Sequence, residues 1–103
     1  MTTKIVYHFE WDEKKAGTNL SKHKVGFQLA TSVFRDPLAL TVYDGEHSES
    51  EERWATLGRA ENGQYLVVVH TYETITTTKV RIRIISVRKA DTHEIRDYED
   101  APH

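Results

Sequence analysis

The sequence predicts an α+β domain in which helices gather on a mainly antiparallel sheet, and three features of it predict this. Short segments alternate apolar and polar residues with the two-residue period of half-buried strands. Two early segments and one late segment carry helical spacing or helix caps, so the elements run in the order β-α-α-β-β-β-β-α. The length of 103 residues fits one domain, and no repeat or low-complexity tract divides it.

The first strand is read from Ile5, Tyr7, Phe9 and Trp11 on one face and Val6, His8 and Glu10 on the other. Asp12 then stands at an N-cap position before the polar helix "EKKAGTNLSKH", in which Ala16 and Leu20 are the apolar contacts expected. After "KVG", Phe27, Ala30, Val33 and Phe34 follow helical spacing until Pro37 forbids continuation. "LALTVYD" reads as a strand and "GEHSESEE" as a solvated acidic loop.

"RWATLGR" and "QYLVVVHTY" form a hairpin through "AENG", where Asn62-Gly63 suits left-handed backbone. The run Leu66 to Val69 is apolar on both faces, which places it centrally in the sheet. The Thr-rich "ETITTTK" is a connection to the strand "VRIRIISVR", and "ADTHEIRDYED" closes the chain as a helix with Asp91 and Glu94 spaced as a capping box.

Charge bounds the function. Sixteen carboxylates against 14 Lys and Arg give a net charge of −2 with histidines neutral, so a uniformly basic coat for nucleic acid is excluded and any such role needs local clustering. With no cysteine there is no disulfide, thiol nucleophile or thiolate metal site. The opening "MTTKIVYHFEW" lacks the apolar run of a signal or membrane segment, which gives a cytoplasmic expectation and no membrane partner.

The clustering lies in "KVRIRIISVRK", residues 79 to 89, which holds five cations and no acid. Lys79, Arg81 and Arg83 alternate with Val80, Ile82 and Ile84. The period then slips, because Ile85 and Val87 fall on the side of Arg83 and Arg88 on the other. Either both faces become buried or a bulge re-aims the side chains near Ile84 and Ile85. Arg59 and His70 on neighbouring strands are expected to complete an anion site, since the guanidinium fork fits phosphate bidentately. The same cations also suit cross-strand ion pairs or protection of a sheet edge.

The motifs "FEWD", Asn19, "KHKVGF", "VFRDPLAL", His47, "EER", Gly58-Arg59, "VVVH", "RIISVRKA" and Glu94 resemble, in order, the BrnT-type toxins of bacterial type II toxin–antitoxin systems. Gly26, where a helix-capping serine is common, and the long "YETITTTK" connection depart from that pattern. The resemblance implies a compact RelE-like ribonuclease fold, RNA cleavage that inhibits translation, and neutralisation by a BrnA-type ribbon-helix-helix antitoxin. It also implies that promoter DNA is met only through the antitoxin complex. Self-association is left open.

RNA cleavage without metal uses the 2′-hydroxyl as nucleophile, so the protein supplies a base, an acid and cations for the phosphate. Arginine stays protonated; Arg59, Arg83 and Arg88 are therefore assigned to phosphate stabilisation, with His70 as acid/base. Arg81, Lys79, Lys89, Lys22, His23 and His47 are the further RNA-binding candidates. Each has a structural reading beside the functional one: His70 ends a buried run, His23 bonds Asn19 within its helix, and Trp11, Trp54 and Tyr98 pack in the core. Glu52 is either a base or an ion-pair partner of an arginine. No cofactor is expected. The histidines at 8, 23, 47, 70, 93 and 103 form no i,i+4 or H-x-H pair, so "DGEHSESEE" is weak as a metal site. The alternative from another class is a non-catalytic module that grips RNA or protein on the same basic face.

Overall fold

A computed structural model describes residues 4–48 and 50–102. Strand β1 (Val6–Glu10) leads to helix α1 (Glu13–His23), helix α2 (Phe27–Thr31) and a 3-10 turn (Ser32–Arg35). Strands β2 (Leu40–Tyr43), β3 (Trp54–Arg59), β4 (Tyr65–His70), β5 (Glu73–Thr76) and β6 (Lys79–Lys89) follow, then helix α3 (Thr92–Asp100). The sheet order is β1-β6-β4-β3-β2, with β5 paired to β6; only β1 and β6 run parallel. The α+β class and mainly antiparallel sheet agree with the sequence reading. The Thr-rich connection differs, because Glu73–Thr76 pairs with the start of β6 and adds a strand. No helix among the described residues is long and apolar enough to cross a membrane.

Leu66, Val68, Val80, Ile82, Ile84 and Val87 point to one side of the sheet, where Phe27, Ala30 and Val33 of α2 and the following turn cover them. Phe34 packs beside this core against Tyr7 and Phe9 of β1. Gly58 permits the close approach of that turn, since a Cβ there would stand 2.7 Å from Val33 Cγ1. In the β3–β4 hairpin only Gly63 is left-handed, at φ 90°, so Asn62 does not take the second left-handed position that its pairing with glycine suggested. On the opposite, open face Val69 and Ile85 of the central strands are partly exposed.

Strand β6 changes its register midway. Ile84 pairs with His70 while Ser86 pairs with Val69, which leaves Ile85 as an extra residue. This bulge keeps Val80, Ile82, Ile84 and Val87 in the core although the last breaks the even-number series. Arg81, Arg83 and Arg88 consequently share the open face. The bulge was one of the two outcomes the slipped period allowed.

Asp12 caps α1 by accepting from the backbone N–H groups of Lys14 and Lys15. Leu20, expected to dock this helix, is half exposed, and Asn19 docks it instead. The Asn19 amide nitrogen donates to the carbonyls of Val25 (3.1 Å) and Val87 (2.9 Å), and its oxygen accepts from Val87 N–H (3.0 Å). The side chain thus bonds the β6 edge beyond the end of β1, just after the bulge. Asn19→Ala leaves three buried backbone groups unpaired and is expected to cost about 2–4 kcal/mol, read as a lower urea midpoint. A loss below about 0.5 kcal/mol contradicts this role.

Candidate nucleic-acid interface

The open face forms a shallow apolar floor from Val42, Ala55, Val67, Val69 and Ile85, rimmed by Arg53, Arg88 and Tyr43, in a depression of about 410 Å³. Beside it, Glu10, Glu51, Glu52, Thr71, Tyr72, Arg81 and Arg83 line a second depression of about 350 Å³. Glu51 joins the two, because its carboxylate accepts from Arg83 and lies 3.6 Å from an Arg53 nitrogen. The break between β4 and β5 positions Arg83, whose backbone N–H donates to Thr71 Oγ1 and whose carbonyl accepts from Thr71 N–H. Arg53 Nε is buried with no hydrogen-bond partner among the described residues, so this guanidinium retains an unused donor.

The cations do not converge into one bare anion pocket. Arg88 makes a bidentate pair with Glu94 of α3 at 2.8 Å for each bond, and this pair holds the Glu94 carboxyl below its ordinary range. Arg81 meets Glu73 at 2.6 Å and Glu10 at 3.8 Å. Arg83, Arg88 and Arg81 therefore keep to the open face, but each carries a carboxylate. These pairs are 25–59% exposed, where an ion pair is worth about 1 kcal/mol or less, so a phosphate can compete for the arginine.

Arg59 stands apart. It occupies the hairpin end of β3, with its guanidinium 5.4 Å from the Tyr65 ring centre. Its backbone N–H donates to Asp36, which also accepts from the Tyr98 hydroxyl at 2.7 Å. Burial and this bond push the Tyr98 hydroxyl up to about 12. That node ties α3 to the sheet. Lys79 is exposed at the start of β6 and Lys89 at its end. Lys22 and His23 lie on α1, where Asn19 bonds Val25 and Val87 rather than His23. His47 ends a 3-10 turn (Gly45–His47), and its side chain lies outside the described residues.

His70 requires a correction. It is 1% exposed on the core side of β4, edge-on to Phe34, and no solvent-borne phosphate reaches it. Its Nδ1 faces the Thr71 carbonyl at 2.8 Å, an acceptor only, so Nδ1 carries the proton. Nε2 accordingly accepts from Thr56 Oγ1 at 2.6 Å, and Thr56 accepts in turn from Thr41 at 2.8 Å. Burial pushes the imidazole below its ordinary value and keeps it neutral, against the smaller opposing effect of the Thr71 bond. The signal was available, because His70 shares parity with Leu66 and Val68 of the core. Conversely, Glu51 and Arg53 were missed as site residues in favour of Glu52, which is exposed and lines the same depression without pairing to Arg83.

A histidine held below its unfolded value of 6.5 takes up protons in the unfolded chain first. Its contribution is complete above that value and falls as pH drops through 6.5 toward the lower folded value. Urea unfolding between about pH 7.5 and about pH 5.5, above the carboxylate range, is expected to lose up to about 1.4 kcal/mol per pH unit below the unfolded value. His70→Gln should lack this component, and an identical slope in that variant contradicts the assignment.

Residues 11–94 match the family model described as "Ribonuclease toxin, BrnT, of type II toxin-antitoxin system". A crystal structure of the Brucella abortus ribonuclease toxin BrnT is similar with a TM-score of 0.55 and 22% identity, covering 88% of this chain and 100% of that one, which supports the fold. Comparison with curated proteins found no match. On the extent of the family match, the chain belongs to the BrnT family of ribonuclease toxins of type II toxin–antitoxin systems.

Proposed function

We propose that this chain is a metal-independent endoribonuclease that cuts RNA on its open sheet face and thereby inhibits translation in the cytoplasm. The observation that carries the reading is Glu51 held between Arg83 and Arg53 at the rim of an apolar floor. RNA displaces the arginines from Glu51, and the phosphate takes the guanidinium forks in its place. Glu51 accepts the proton of the 2′-hydroxyl, whose oxygen bonds to the adjacent phosphorus as the bond to the 5′-oxygen breaks. Arg83 and Arg53 stabilise the charge on the non-bridging oxygens, and water or Tyr72 protonates the leaving oxygen. The products are a 2′,3′-cyclic phosphate and a 5′-hydroxyl end.

Arg88 binds a neighbouring phosphate once Glu94 yields, and the floor receives a base against Val67, Val69 and Ile85. A ribbon-helix-helix antitoxin of the BrnA type neutralises the enzyme by covering this face, and DNA contact resides in that antitoxin. No group of three or more metal-ligating side chains stands together among the described residues.

Purified protein with a defined RNA tests the reading. Arg83→Ala and Glu51→Gln are expected to lower cleavage about 100-fold or more while remaining folded, whereas His70→Gln, once shown to be folded, cuts normally. Cleavage persists in excess chelator. Undiminished cutting by both variants overturns the assignment of roles, strict metal rescue overturns the mechanism, and tight binding without cutting favours the non-catalytic module.

A further inference from the structure

Arg81, Arg83 and Arg88 of β6 are paired with carboxylates, but the lysines of α1 are not. Lys14, Lys15 and Lys22 make no ion pair with any described carboxylate. They line a groove of about 390 Å³ between α1 and β6, together with Thr18, Asn19 and His23. Asp12, the carboxylate in this groove, is engaged by two backbone N–H groups as the helix cap. Lys14, Thr18 and Lys22 stand four residues apart and form one stripe about 12 Å long along the helix.

The groove continues into the open face. Ile85 and Ser86, the bulge residues, line both depressions, so a strand leaving the apolar floor passes over the bulge and arrives beside the lysines. Lysine suits this place. Its ammonium is a point charge on a flexible stem that follows a phosphate backbone without fixing its sequence, unlike the paired arginine forks. Asn19 anchors the helix on β6 and so fixes the distance between stripe and floor.

We infer that the α1–β6 groove is a second, sequence-independent subsite for the RNA backbone, in which Lys14, Lys15 and Lys22 neutralise phosphates flanking the strand at the open face. This rests on the open-face reading and extends it. An acidic protein segment would be the other guest of such a groove, but the continuity at Ile85 and Ser86 favours the same strand that occupies the floor.

The test is binding of a fluorescent, uncleavable 2′-O-methyl oligoribonucleotide of about 20 residues by full-length protein across a salt series. Lys14→Gln/Lys15→Gln/Lys22→Gln keeps helix propensity and is expected to bind roughly tenfold more weakly, with the slope of log affinity against log salt reduced by about two. Arg96→Gln, an exposed cation on α3, should alter neither. Wild-type affinity and slope in the triple variant overturn the groove and leave the open face standing, and they would do so equally if the lysines served a protein partner. Failure of the wild type to bind overturns both readings.

Discussion

The single extra residue at Ile85 is the constraint on which this structure turns. Strand β6 presents aliphatic residues to the core at Val80, Ile82 and Ile84 and again at Val87, and this is compatible with one strand only if a residue is inserted between the two sets. The same insertion brings Arg88 to the face already occupied by Arg81 and Arg83. One local irregularity thereby satisfies the core packing and gathers the three arginines on one face. Asn19 secures it, because its amide completes the backbone bonding of Val87 where β1 no longer borders β6.

On the open face, charge is held in reserve. Arg88 with Glu94, and Arg83 with Glu51, are partly exposed pairs, so neither arginine is deeply desolvated and neither bond is expensive to exchange. A bidentate phosphate offers each guanidinium a comparable partner. In the proposed mechanism the carboxylate released from Arg83 then lies beside the substrate and is free to accept a proton. In the proposed reading an overall acidic chain can bind a polyanion, because the acids nearest the β6 arginines are paired with them while the α1 lysines make no ion pair with a described carboxylate.

Much of the fold was legible because it rests on local chemistry. The alternation of β1, the Asp12 cap and the Asp91–Glu94 capping box all involve residues within a few positions of one another. The apolar run Leu66 to Val69 marked the central strand, and the slipped period of β6 narrowed its form to two choices. What stayed hidden depends on distant partners. Asn19 meets Val87 across 68 positions and Arg83 meets Glu51 across 32, and no spacing rule announces such pairs. Strand β5 was missed because its exposed Thr-rich residues form a strand only by borrowing the edge of β6. Arg59 was grouped with the other arginines by residue type, although the hairpin carries it to Tyr65 and the Asp36–Tyr98 node.

The claim that the bulge assembles one phosphate-reading face is tested most directly by following the arginine side-chain N–H resonances of isotope-labelled protein as uncleavable RNA is added. The account predicts that the signals of Arg53, Arg83 and Arg88 shift together with a common saturation, while those of Arg35 and Arg96 stay in place. RNA that saturates the protein yet leaves the first three unmoved would contradict it.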